Sequence, residues 1–161
     1  MENLPIPSRT ADPSWEIKAS STHGRGLFAR QHIPAGSHIL EYTGKRIPID
    51  TVEPREDGRV YTVAIDDDWA INGDCPKNPA RFANHACSPN CELELIEGRL
   101  ILWALTDISQ GKEILFDYGW GLEGLFQLRC RCQTAGCIGY IVGEPYRPQA
   151  RRLIAQMRRR R

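Results

Sequence analysis

Long apolar stretches are missing from this 161-residue sequence. Its longest apolar runs, such as "LILWAL" at 100–105, fall far short of the ~20 residues that cross a bilayer. No membrane association is therefore expected. The opening "MENLPIPSRTADPSW" has neither the basic start nor the apolar centre of a secretion signal. The chain is thus expected inside the cell, where thiols serve more often as metal ligands than as disulfides. There is no internal repeat, and no convincing helix of several turns before the C-terminal segment. With 41% hydrophobic and 25% charged residues, wholesale disorder is excluded, and the length suffices for one buried core.

Acidic residues are missing from 147–161, "RPQARRLIAQMRRRR", which holds seven arginines. Without those seven, 14 basic residues face 20 acidic ones, so the body carries a net charge of −6 under an overall +1. Such a body attracts cationic peptides, and the tail attracts anions such as nucleic acid. The plainer reading of the tail is a solvated end, helical in part, with a short apolar stripe (Leu153, Ile154, Met157).

What remains is strand-like. Segments at 15–20, 38–44, 60–65, 69–72, 91–96, 99–105 and 113–116 are rich in β-branched, aromatic or alternating apolar residues. Turn formers separate them: a hairpin turn is expected in "IEGRL" (96–100), and tight turns in "IPAG" (33–36) and "ISQG" (108–111). The polar stretch 51–59 reads as an exposed insert. The expected class is mostly β, with few short helices.

Four patches carry chemistry. "HGRGLFA" (23–29) places Gly24 and Gly26 around Arg25, but lacks the third glycine of a dinucleotide fingerprint. By itself it reads as a hairpin turn. "RFANHACSPNC" (81–91) crowds Asn84, His85, Cys87 and Cys91 into one loop. "EILFDYGW" (113–120) ends an apolar strand in Asp117, Tyr118 and Trp120. "CRCQTAGC" (130–137) sets three cysteines in eight residues, a spacing that wraps one tetrahedral Zn²⁺. A structural zinc needs a fourth ligand, and Cys75, Cys87, Cys91 and the histidines remain as candidates.

Taken in order, the four patches resemble the motifs of the SET domain, the protein-lysine methyltransferase family. "RFANHACSPN" is similar to Arg-Phe-x-Asn-His-x-Cys-x-Pro-Asn, and "EILFDYGW" to Glu-(Ile/Leu)-x-Phe-Asp-Tyr. "CRCQTAGC" resembles a zinc-binding post-SET segment. The resemblance covers about residues 15–142. It implies small curled sheets (a β-clip) with a knot-like crossing near the C-terminus, which sets the Asn-His motif against the Phe-Asp-Tyr motif. It divides the chain into an extended leader (1–13), the SET domain (14–121), a post-SET zinc segment (122–146) and the basic tail (147–161).

The resemblance also implies site residues. S-adenosylmethionine would lie on Gly24, Arg25 and Gly26, held by Asn84 and His85 and faced by Tyr118. Tyr118 stands at the family's catalytic tyrosine. One Zn²⁺ would bind Cys87, Cys130, Cys132 and Cys137, leaving Cys75 and Cys91 as ordinary thiols. A lysine channel would be lined by Tyr61, Phe116, Trp120 and Tyr140. Phe116 stands where Phe rather than Tyr leaves room for di- or trimethylation. Lysine attacks only as the free amine, and deprotonating it near neutral pH costs about 4 kcal/mol at ~1.36 kcal/mol per pKa unit. An apolar channel beside a sulfonium lowers that cost. Ala83 and Ala86 depart from the commoner family residues without removing a chemical group. The implied partner is a lysine-bearing basic protein, such as a histone, histone-like or ribosomal protein. The implied setting is chromatin in a eukaryote or cytoplasm in a bacterium. The competing reading is a catalytically silent SET-like module that binds peptide or nucleic acid.

Overall fold

The computed structural model describes residues 13–159, except 54, 57, 58 and 124. The expected leader falls almost wholly outside the described residues. In chain order the strands are β1 (Trp15–Ala19), β2 (Arg25–Ala29), β3 (His38–Tyr42), β4 (Lys45–Pro48) and β5 (Thr62–Ala64). There follow β6 (Trp69–Asn72), β7 (Asn84–His85), β8 (Cys91–Ile96), β9 (Arg99–Ala104) and β10 (Leu115–Phe116). One α-helix, α1 (Arg147–Arg159), closes the described chain. The strands make four small sheets rather than one large one.

β1 and β2 form an antiparallel hairpin with Trp15 opposite Ala29. Its turn closes through Ser20 N–H donating to the Gly24 carbonyl at 2.9 Å, with Gly24 at φ +52°. The expected turn at 23–29 is therefore a turn only as far as Gly24. From Arg25 the chain is strand, because Leu27 and Ala29 are wholly buried in the main core. The expected strand 38–44 shortens to β3, with β4 following it as an unexpected strand, and 113–116 shortens to β10.

β9 lies between β3 and β8, antiparallel to both. Being central, it buries Leu100, Ile101 and Leu102 in succession, where a strand with one wet face would alternate. Glu97 and Gly98 join β8 to β9 with φ of 50° and 78°, the two-residue turn whose twist suits a hairpin. β4, β6 and β5 form a second three-stranded sheet.

The fourth sheet matters most for the site. β7 and β10 run parallel, with Leu115 opposite Asn84 and Phe116 opposite His85. Asn90 secures this pairing with both ends of its amide, accepting from Leu115 N–H and donating to the Glu113 carbonyl, each at 2.8 Å. The Asn-His and Phe-Asp-Tyr motifs thereby lie side by side, as expected.

The main core gathers Leu27, Ile39, Tyr42, Leu102, Ile114 and Phe116, among others. A second core holds Leu125, Ile138, Tyr140, Val142, Ala150 and Ile154. From Arg147 to Arg159 the tail is thus helical, but its apolar stripe does not face solvent: Ala150 and Ile154 are buried and Leu153 packs beside them. A helix that offers an apolar stripe lowers its free energy by covering one, and 122–142 supplies the surface. Among the described residues no helix is long and apolar enough to cross a membrane.

Candidate functional site

Asn84 opens the site. Its buried Nδ2 lies within hydrogen-bonding reach of the carbonyls of His23 (3.2 Å) and Arg25 (3.0 Å) and of Glu113 Oε1 (2.8 Å). Glu113 also accepts from the hydroxyls of Ser20 (2.7 Å) and Thr22 (3.1 Å). A buried amide and a carboxylate thus pin the glycine-flanked loop to β7 and β10. At Gly24 an added Cβ would meet only the Arg59 guanidinium, at 3.9 Å, so the loop stands bare on that side. Arg25 lays its guanidinium over the Phe82 ring, 4.6 Å from the centroid.

His85 is buried at the junction of two features. Its Nδ1 accepts from Tyr118 N–H at 3.2 Å, which leaves Nε2 as the protonated nitrogen. Nε2 points at Cys87 Sγ, 3.6 Å away. Tyr118 packs edge-on to His85 and tilted against Phe116 and Trp120, with ring centroids 5.3, 5.0 and 5.4 Å away. Its hydroxyl donates to the Ala83 carbonyl at 3.3 Å. Burial pushes the Tyr118 hydroxyl well above its ordinary range, and repulsion from Tyr61 adds to this, so the phenol stays protonated.

An open groove of about 580 Å³ runs past Tyr118. Tyr61, Phe116, Tyr118 and Trp120 line it, with aliphatic side chains such as Val63 and Leu93. Tyr42 fixes the backbone at Tyr61 by donating its hydroxyl to that carbonyl at 2.8 Å. Tyr140, expected beside these aromatics, is not among the residues lining this groove. It lies in the second core, edge-on to Phe126 and under Arg129. An apolar core in which Tyr140 fills space outweighs a place at the groove.

Cys87, Cys130, Cys132 and Cys137 converge, with all four Sγ atoms within 4.8 Å of one another. Cys87 and Cys130 are 3.9 Å apart at sulfur, close to the ~3.8 Å edge of a tetrahedron with 2.3 Å metal–sulfur bonds. Backbone N–H groups already point at two of the sulfurs, Cys87 N at Cys132 Sγ and Gly139 N at Cys137 Sγ, each at 3.4 Å. The Cys130 thiol beside it lowers the Cys87 pKa, and the same contact raises that of Cys130. The donor set and its spacing fit one tetrahedral metal ion. Cys91 is buried elsewhere, its thiol donating to the Leu115 carbonyl at 3.2 Å and held neutral by burial. Cys75 is also outside the cluster.

Two polar groups that organise the site carry no expectation from the sequence. Glu113 stands at the head of a recognised motif, but nothing in its spacing says that it braces the glycine loop. Arg147 is the other. Its Nη2 meets Asp117 Oδ2 at 2.5 Å, and it donates as well to the carbonyls of Cys87 and Val142. Asp117 Oδ2 also accepts from Glu144 N–H at 2.9 Å. No sequence signal separates Arg147 from the six other arginines of the tail.

Comparison with known proteins agrees with this geometry. The model of the SET domain matches residues 24–119. A histone-lysine N-methyltransferase, H3 lysine-4 specific, from Chaetomium globosum is 36% identical over 135 residues, covering 76% of this chain and 12% of that protein. Its counterpart from Candida albicans is 37% identical over 135 residues, covering 76% and 13%. A crystal structure of KRYPTONITE in complex with mCHH DNA, H3(1-15) peptide and SAH superposes with a TM-score of 0.69 at 27% identity, covering 79% of this chain and 29% of that one. The chain therefore spans no more than 13% of the length of these two fungal relatives. With the motif order, the paired β7 and β10 and the matched residues in agreement, the chain belongs to the SET domain family.

Proposed function

We propose that this chain is a protein-lysine N-methyltransferase domain that uses S-adenosylmethionine and acts on a lysine-rich protein of the histone class. The observation that carries this reading is the place of Tyr118: a buried, protonated hydroxyl at an aromatic groove, one strand pairing away from Asn84 and His85. The relatives named as histone-lysine methyltransferases, and the SAH and H3 peptide named with KRYPTONITE, support it. A silent binding module has no need of a buried tyrosine hydroxyl in that position.

S-adenosylmethionine would supply the methyl group, held by the Gly24-Arg25-Gly26 loop, Asn84, His85 and Tyr118. The chain's own part is positioning and electrostatics. Tyr61, Phe116 and Trp120 would enclose the lysine stem, and their apolar faces disfavour the ammonium form, so the amine arrives with its proton already lost to solvent. Phe116, with no hydroxyl to fill the groove, suits di- or trimethylation. Zn²⁺ would be held by Cys87, Cys130, Cys132 and Cys137 and would tie 122–146 to the catalytic domain, 14–121.

Incubation of the metal-loaded chain with labelled S-adenosylmethionine and a panel of histone, histone-like and ribosomal proteins tests this. Wild type is expected to label lysine in at least one of them. Tyr118→Phe is expected to lower the rate about 100-fold or more, the scale on which removing one positioned donor acts. Equal labelling by the variant removes Tyr118 from the mechanism. Absence of cofactor affinity in folded, metal-loaded protein favours the binding module.

A further inference from the structure

The formal charge of this molecule is sharply divided. Residues 124–161 hold nine arginines and one acid, Glu144, a net of +8. Residues 1–123 hold 12 basic and 19 acidic side chains, a net of −7. In α1 the division has a geometry. Arg151, Arg152, Arg158 and Arg159 are exposed, while Ala150 and Ile154 are buried on the second core. At 100° per residue Arg152 and Arg159 fall opposite that stripe and Arg151 and Arg158 on its flank, so the four share one exposed arc of about 120°. They form two pairs seven residues apart, 151 with 158 and 152 with 159, about 10.5 Å along the axis at 1.5 Å per residue.

We propose that this arginine face of α1 is a docking surface for double-stranded nucleic acid, gripped through its phosphates. A duplex presents one charge per ~1.7 Å of its axis. Two pairs of guanidiniums about 10.5 Å apart can meet phosphates at two places along it, and their planar forks suit phosphate oxygens. An anionic membrane fits less well, because the apolar stripe that would enter the acyl layer is already buried against Leu125, Ile138 and Val142. The negative body, repelled by the duplex, turns away from it. The docking does not rest on the methyltransferase reading.

The test is fluorescence anisotropy of a labelled duplex of about two helical turns, titrated with the metal-loaded full chain across a salt series. Wild type is expected to bind with Kd of about 10⁻⁶–10⁻⁴ M at physiological salt and more tightly at low salt. Arg151→Gln, Arg152→Gln, Arg158→Gln and Arg159→Gln together are expected to lower the slope of log K against log salt by about 3 to 4, at ~0.9 per lost phosphate contact. The triple variant that keeps Arg151, whose Nη2 also donates to the Gly136 carbonyl, is expected to lose about three quarters of that. Lys77→Gln with Lys112→Gln, exposed positions on the body, is expected to leave binding unchanged. No duplex binding by wild type at low salt overturns the proposal. So does an unchanged slope in the quadruple variant, or tighter binding to poly-glutamate or phosphatidylserine vesicles than to the duplex.

Discussion

An added Cβ at Gly26 would lie 2.2 Å from Glu113 Oε1 and 2.9 Å from Ser20 Cβ. Glu113 has little freedom to give way, since Ser20, Thr22 and Asn84 all donate to it. Gly26→Ala is therefore expected to destabilise the fold by roughly 1–3 kcal/mol, as overpacking does. It should weaken S-adenosylmethionine binding more than Gly36→Ala, whose added Cβ meets nothing within 4 Å and whose cost is only that of its φ of +75°. Denaturant midpoints and calorimetric titration of the cofactor measure both effects. Tyr118 yields a second expectation. Its pKa is raised on folding, so above the unfolded value of about 10 the native chain keeps a proton that the unfolded chain releases. Stability should lose this contribution only as pH climbs past ~10, and Tyr118 should set no alkaline limit on activity below it. Tyrosinate absorbance compared between wild type and Tyr118→Phe checks the sign: an ionisation below pH ~10 missing from the variant contradicts it.

At the scale of elements, β7 and β10 are only two residues each, too short for period or propensity to reveal. Their pairing was legible through motifs alone, because "RFANHACSPN" and "EILFDYGW" carry specific residues in order. The hairpin of β8 and β9 was legible for the opposite reason: six residues on each side alternate in part around Glu97-Gly98. Helix α1 was half legible. Its stripe shows in Leu153, Ile154 and Met157, but what covers that stripe does not, since the second core is assembled from scattered residues of 122–142. Arg147 lay beyond reach because its partners, Asp117 and the Cys87 carbonyl, sit 30 and 60 positions away. The pair is partly shielded, the side chains 13% and 19% exposed. Arg147→Ala is expected to cost roughly 1.5–3 kcal/mol, the range for hydrogen bonds to charged groups. The C-terminal amides should exchange faster than those of β9, and Arg147→Lys should restore only part of the loss, since an ammonium cannot reach three acceptors with a planar fork.

Across the whole molecule, buried apolar residues gather in two larger cores. Ala86, Cys87 and Cys132 form a third, small buried cluster, and Arg147 donates to the Cys87 carbonyl there. The main core needs none of the four converging cysteines as packing, whereas three of them belong to 130–137, the segment that leads into the second core. The second core is small, and small apolar cores commonly need a metal or disulfide to persist. Metal removal is therefore expected to act unevenly. After chelation, amides of 125–159 should exchange rapidly while those of β3 and β9 stay protected, because local opening draws on the least buried cooperative unit. Cys87→Ser should reproduce the pattern, since Cys87 is the one converging cysteine that lies outside 130–137. Cys91→Ser should not release the C-terminal segment, because Cys91 lies outside the cluster. Hydrogen exchange read by mass spectrometry separates these cases. Uniform loss of protection across both cores on chelation would show that the four sulfurs support the whole fold, and unchanged exchange at 125–159 would show that they hold no structural metal.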